Sequence, residues 1–200
     1  SGTTITPHGG GGRIYADDSR MPDLVARYNA KWDGGNFTVA GIYRELRYEN
    51  NAAGIKDSTS GYGISVSGKF NIGAKDDFRW MASTGKGMGR YMGLNTANAA
   101  ALDADGNLDA IKSTGVFGSY RHFWNDQWRS NLTLGYLWVN NDVENTGSGV
   151  TKDAKSIHAN VIYSPLPKLD FGLEFMYADR EVESGIDGDL KRVQFSAKYA

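Results

Sequence analysis

No cysteine occurs anywhere in the 200 residues, which excludes both a disulfide framework and a thiolate site. No run of about 18 apolar residues occurs either, so no segment can cross a bilayer as a helix. The net charge of −1 excludes a generally basic nucleic-acid binder. A cleavable leader is also missing; the chain opens in polar, Gly-rich sequence, as expected of a mature or truncated product. Charged residues make up 22% and mean hydropathy is −0.48. That soluble-looking average does not exclude a membrane, because barrel strands turn every second residue away from lipid.

Alternation of apolar and polar residues fills the chain. Leu24, Ala26, Tyr28, Ala30 and Trp32 alternate with Val25, Arg27, Asn29 and Lys31, and Tyr62, Ile64, Val66, Phe70 and Ile72 repeat the pattern. A period of two is a β-strand with one face on an apolar phase and the other on a wetter one. Strands are expected at 22–33, 36–48, 59–72, 77–86, 112–124, 127–140, 154–164, 168–180 and 189–200. Tight turns follow the odd-numbered strands at 33–36, 73–76, 125–127 and 164–168, and polar loops (49–58, 87–111, 140–153) follow even ones. Glycine is plentiful, 26 of 200, against a usual share of about 7%. Short turns at one end and longer loops at the other are the rhythm of a transmembrane antiparallel β-barrel, and the fold class is therefore all-β. The second strand changes phase, from Phe37-Val39-Gly41-Tyr43 to Leu46-Tyr48, so a bulge or the end of the membrane is expected near Arg44-Glu45.

Aromatic placement separates this reading from a soluble sandwich. Trp32, Trp80, Trp124 and Trp128 lie beside the tight turns, while Trp138, Tyr43, Tyr62 and Tyr177 fall near the opposite ends. Two girdles at two water interfaces would produce that arrangement. A sandwich with an aromatic core accounts for the alternation but not for the turn rhythm. An odd number of strands cannot close an antiparallel ring, and open edges are not tolerated in hydrocarbon. Residues 1–200 are accordingly expected to be the C-terminal portion of one outer-membrane barrel domain. The alternation of Val193, Phe195, Ala197 and Tyr199 up to Ala200 suggests one missing terminal aromatic residue.

The stretches MPDLVARYNAKW (21–32), GRYMGLNTANAAALDADGNLDAI (89–111), SYRHFWNDQWRSNL (119–132) and QFSAKYA (194–200) together resemble the C-terminal half of the DcaP-like outer-membrane porins. The resemblance implies a 16-stranded trimeric barrel in the bacterial outer membrane, in contact with lipid and lipopolysaccharide. It also implies passage of small anions, dicarboxylates among them, with no cofactor. On that scheme the nine strands are the eighth to sixteenth.

The inward phase is strongly one-signed. Arg27, Lys31, Lys69, Arg79, Arg121, Arg129, Arg192 and Lys198 take inward positions, joined by Arg44 if its strand starts in the Phe37 phase. The inward acids are read as Asp170 and Glu174 alone. Rings of Arg and Lys are the expected device for anion selectivity, and a guanidinium fork can engage a carboxylate through two hydrogen bonds. The plainer reading of any one such residue is that it balances an acid elsewhere. Arg27 and Arg79 are the best individual candidates. In the Gly-rich first segment, four glycines at 9–12 permit a fold back into the mouth that would carry Arg13 or Arg20 toward a constriction. A mobile surface loop is the plainer reading of the same glycines.

Weaker signals remain. Asp103, Asp105, Asn107 and Asp109 have the alternate-oxygen spacing of a calcium loop, but Leu108 and Thr114 stand where such a loop needs glycine and a bidentate glutamate. A polar hairpin tip explains them as well, and no metal is assigned. His158 and Ser156 share an inward face, yet residues two apart on a strand are about 7 Å apart, beyond direct hydrogen-bond reach. The expected function is passive diffusion of small anions through a channel, not enzymatic. The alternative is a surface-binding barrel with a plugged lumen, whose outer loops hold a ligand or partner.

Overall fold

A computed structural model describes residues 2–199, the side chain of Leu94 excepted. Ala200, on which the terminal aromatic pattern rests, lies outside the described residues. The chain begins with two short strands, β1 (Thr4–Thr6) and β2 (Ile14–Tyr15). Four long ones follow: β3 (Leu24–Trp32), β4 (Gly35–Asn50), β5 (Ile55–Ile72) and β6 (Asp76–Lys86). A one-turn 3-10 helix (Gly93–Asn95) leads into β7 (Ala100–Leu102) and β8 (Leu108–Ala110). The remainder is β9 (Lys112–Phe123), β10 (Trp128–Asn140), α1 (Val143–Thr146), β11 (Thr151–Leu166), β12 (Leu169–Val182) and β13 (Asp187–Tyr199).

Two sheets result. The larger runs β3-β4-β5-β6-β9-β10-β11-β12-β13 with every neighbouring pair antiparallel. The nine expected strands are these nine. Its edge strands, β3 and β13, pair with no further strand among the described residues. The smaller sheet runs β2-β1-β7-β8 and joins the first segment to the 87–111 loop through a parallel pairing of Ile5 with Ala100. Sequence periodicity does not reveal these four strands, because two- and three-residue strands are too short to show a repeat.

The small sheet lies on one face of the large one, the inner face. Ile5, Ala99, Ala100, Leu102 and Leu108 bury themselves against Leu46 of β4, with Tyr48 and Ile55 packed alongside. Ala97, Ala101 and Ile111 pack against Val139 of β10, flanked by Leu137. This contact explains the phase change in β4. No bulge interrupts the strand: its pairing with β5 is one-to-one from Gly35↔Phe70 to Asn50↔Ile55. Leu46 and Tyr48 are inner-face residues like Arg44, and they are apolar because the small sheet covers them. The same cover lets β4 and β5 run long, so that only residues 51–54 connect them. The expected 49–58 loop is therefore a tight turn on a projecting hairpin. Above β3, where the edge of β4 would be bare, Asp17 N donates to the Arg47 carbonyl at 2.9 Å and Glu49 N donates to Asp17 Oδ2 at 2.6 Å.

The other face is apolar and uncovered. Trp32, Trp80, Tyr136 and Trp138 all lie on it, and no second sheet packs there among the described residues. Near the tight turns, the Trp32, Phe70, Trp80 and Phe37 rings follow one another at 6.1–6.4 Å, and Trp128 stacks on Tyr163 at 4.5 Å. Near the long-loop ends Tyr136 sits 5.4 Å from Trp138, and the Tyr43 hydroxyl hydrogen-bonds Ser60 at 2.9 Å. These are two aromatic belts, each ring with an apolar body and, for Tyr and Trp, a polar edge.

Leu46 is 1% exposed at the junction of the two sheets. Leu46→Ala is expected to cost about 2–5 kcal/mol locally and to release the small sheet. Limited proteolysis should then cut within 4–15 and 97–110 while strand content by circular dichroism stays unchanged; protection at both segments would contradict this packing.

Candidate functional site

Register decides which side chains share the inner face. Following the pairings Arg27↔Ala40, Asn36↔Lys69, Lys69↔Arg79, Asp77↔Arg121 and Phe123↔Arg129 places Arg27, Lys31, Arg44, Lys69, Arg79, Arg121 and Arg129 on it. The pairings Ala154↔Arg180, Met176↔Arg192 and Asp170↔Lys198 add Arg180, Arg192 and Lys198. Arg180 escaped the sequence reading because it lies at the expected end of its strand, where phase is least defined. The acids on this face are Asp57, Asp77, Asp170 and Glu174. The expectation of Asp170 and Glu174 alone is thus corrected, and Asp77 is the important omission.

Asp77 is 1% exposed and gathers three of the candidate cations. Arg79 Nε donates to its Oδ1 at 2.8 Å, Arg121 donates to Oδ2, and Lys69 Nζ stands 3.9 Å away. Arg121 also lies 5.1 Å over the Phe123 ring. A buried carboxylate with several charge-assisted donors is held firmly, and so are its donors. One acid against three bases leaves the cluster positive, with half the Arg79 side chain exposed. Nearby, Arg129 donates to Ser164 Oγ at 2.6 Å and to Asp170 Oδ2 at 3.1 Å.

Arg27 and Lys31 are different. Arg27 Nε donates to Asn29 Oδ1 at 2.8 Å, and neither residue has a carboxylate partner among the described residues. Arg192 donates to Gln194, and Lys198 is exposed on the edge strand β13.

Arg44 does not face open space. It is 2% exposed, donates to Thr3 Oγ1 at 2.8 Å and to the Gly87 carbonyl at 3.3 Å, and pairs with Asp23 at 3.5 Å. Its guanidinium lies 5.3 Å over the Tyr91 ring, whose hydroxyl also donates to Asp23. Arg44 therefore clamps the first segment and the 87–111 loop to β4. Its assignment to a solute path gives way to this role, because the loop sequence that buries it comes from 43 residues away.

The glycines at 9–11 do fold back. Gly9, Gly10 and Gly11 have φ of 71°, 91° and 110°, and Gly9 N donates to the Asn145 carbonyl at 2.8 Å. A Cβ at Gly10 would lie 3.0 Å from the Thr146 carbonyl. The mobile-loop reading is replaced by a packed one that brings Arg13 to the 96–98 loop, where it donates to the Thr96 carbonyl at 3.5 Å. Arg20 is held by its backbone instead, which donates to Glu45 Oε2 at 2.7 Å.

Asp103 serves its own turn. Its oxygens accept from Asp105 N at 2.9 Å, Asn107 N at 2.8 Å and Asn107 Nδ2 at 2.9 Å. Asp105 and Asp109 do not converge with it, and among the described residues no three acidic or histidine side chains gather around one point. The amide of Asn107, then the backbone N–H groups, hold the Asp103 carboxyl below its ordinary range. Glu174 Oε1 lies 3.5 Å from His158 Nδ1, but no hydrogen bond joins His158 to Ser156 among the described residues.

Every strand of the large sheet has at least nine residues, enough to cross a bilayer tilted, and no helix among the described residues is long and apolar enough to do so. The DcaP outer membrane protein family matches residues 11–200. The chain belongs to that family. It is accordingly a protein of the bacterial outer membrane. The solved outer membrane channel DcaP of Acinetobacter baumannii shares the fold at a TM-score of 0.79 and 16% identity, over 91% of this chain and 52% of the channel. The chain thus spans about half the length of that channel. No curated protein matches the sequence. That neighbour is an outer membrane channel, and the family is one of outer membrane proteins.

Two outcomes follow from the geometry. Asp77→Asn keeps the shape but removes the charge that Arg79 and Arg121 share; it should lower resistance to unfolding in detergent by about 1–3 kcal/mol, and an unchanged denaturation midpoint would contradict the cluster. Because the folded state holds Asp103 below the ordinary 3.8, its contribution is complete above that value and is lost as pH falls through the lowered one. Hydrogen-exchange protection at Asn107 should fall at strongly acidic pH, and Asp103→Asn should lose it already at neutral pH.

Proposed function

We propose that the nine strands are part of the wall of a 16-stranded barrel, assembled as a homotrimer among outer-membrane lipid and lipopolysaccharide, that passes small anions such as dicarboxylates by passive diffusion. Bare edges on β3 and β13 support closure by further strands, since unpaired backbone groups are not tolerated in hydrocarbon. The observation that carries the solute class is the inner face itself, where basic residues outnumber Asp57, Asp77, Asp170 and Glu174. Excess positive charge inside a low-dielectric wall concentrates anions. Arg27 and Lys31, free of carboxylates among the described residues, are the groups most available to solute, while the Asp77 cluster presents a fixed positive surface toward the tight-turn end.

One observation favours a second reading, a surface-binding barrel with a plugged lumen: the small sheet lies on the inner face and is anchored there by Arg44 and Leu46. Conductance separates the two. In planar bilayers the full-length protein should pass current carried mainly by anions at low salt, with the preference shrinking as the Debye length falls from about 10 Å at 0.1 M to about 3 Å at 1 M. Replacing Arg27 and Lys31 by Glu should move the reversal potential toward cations without loss of fold, because lumen-facing changes tune selectivity. Arg79→Glu is a poorer probe, since it would set a second acid against buried Asp77. Cation selectivity in the unmodified protein would defeat the anion reading, and absence of conductance would favour the plug.

A further inference from the structure

At the long-loop end, on the inner face, the folded first segment, the 96–98 loop, residues 141–151 and β12 enclose a cavity of about 300 Å³. That is the lower end of volumes that hold small ligands. Its lining contains two arginines, Arg13 and Arg180, and no acidic residue. The two are linked through one carbonyl: Arg13 and the Thr151 hydroxyl both donate to Thr96 O, at 3.5 and 2.7 Å, and Arg180 Nε donates to Thr151 Oγ1 at 2.9 Å. Neither guanidinium has a carboxylate partner, and the Nη groups of Arg180 make no hydrogen bond among the described residues. Glu183 is not a lining residue, but its Oε1 accepts from Nδ2 of the lining residue Asn141 at 2.7 Å, which holds this acid behind the wall.

Other features of the lining are equally specific. The Gly9–Gly11 turn forms one wall with its backbone alone, and a side chain at Gly10 or Gly147 would collide with the opposing main chain. Asn98 carries a buried Oδ1 with no partner, while its Nδ2 donates to Thr6 Oγ1 at 2.6 Å. Two forks without carboxylate partners, in a cavity lined by no acid, form a receptor for oxyanions.

We propose that this cavity is an oxyanion-binding subsite at the mouth, taking a small solute with two negative charges, one facing each arginine. The proposal deepens the anion-path reading and rests on it for the solute class. It adds a saturable resting place ahead of the path, and it gives the folding back of the first segment a purpose that wall-building does not supply.

Isothermal titration of the full-length protein in detergent at low salt, with succinate and with inorganic phosphate as probes, tests it. Saturable binding at one site per chain is expected for at least one probe. Arg13→Gln and Arg180→Gln should each weaken it about ten-fold. Ser148→Asp, an exposed rim change that leaves both arginines in place, should abolish it. No saturable binding of either probe, or binding indifferent to Arg13, Arg180 and Ser148, would overturn the subsite. Those failures alongside anion-selective conductance would remove the subsite alone, whereas cation-selective conductance would remove the reading beneath it.

Discussion

The rest of this structure depends on the unbroken antiparallel ladder of the large sheet. Because side chains alternate strictly along a strand, a slip of one residue exchanges the two faces. Across nine strands the register keeps Trp32, Phe70, Trp80, Tyr136 and Phe175 on one side, and Arg27, Lys69, Arg79, Arg129 and Arg192 on the other. Irregularities are confined to the two ends of the β11–β12 pairing, at Thr151/Asp153 and Tyr163/Leu166. The ladder thus satisfies the backbone within the sheet, as a membrane requires, and sorts the chemistry of the two faces.

Charge on the inner face is used in more than one way. At the tight-turn end, Asp77 sacrifices part of the positive excess to hold Lys69, Arg79 and Arg121 in fixed positions. Burying a carboxylate is costly unless donors surround it, so the acid and its three bases form one structural unit. Farther up the same face, Arg44 is spent on architecture. Its donors reach Thr3 and Gly87, in the two segments that the Ile5–Ala100 pairing already joins, and tie both to β4. Arg27, Lys31, Arg13 and Arg180 keep their charge uncompensated by any carboxylate among the described residues. Identical residue types on one face therefore hold, clamp or stand open according to their neighbours.

The small sheet converts loop sequence into a folded lining. Ile5, Ala100, Leu102 and Leu108 supply an apolar core that the large sheet, with only one dry face, does not possess. Membership of the DcaP family and the shared channel fold make the large sheet the expected part of the molecule. The lining over the mouth sets which arginines remain open.

The nine long strands, their apolar phase and the aromatic belts were all present in the sequence, because a two-residue period is a local property that each strand declares by itself. So was the basic bias of the inner phase. Asp77 was missed because it stands at the first residue of its expected strand and was read with the strand ends, although its parity with Arg79 places it inward. The apparent bulge at Arg44-Glu45 misled for a different reason: Leu46 and Tyr48 answer to a covering sheet formed by residues 4–15 and 100–110. Which side of the wall an alternating residue occupies was therefore determined locally. Whether an inward arginine is neutralised, buried or free was decided only by tertiary structure, since its partner comes from a distant segment whose approach no local pattern encodes.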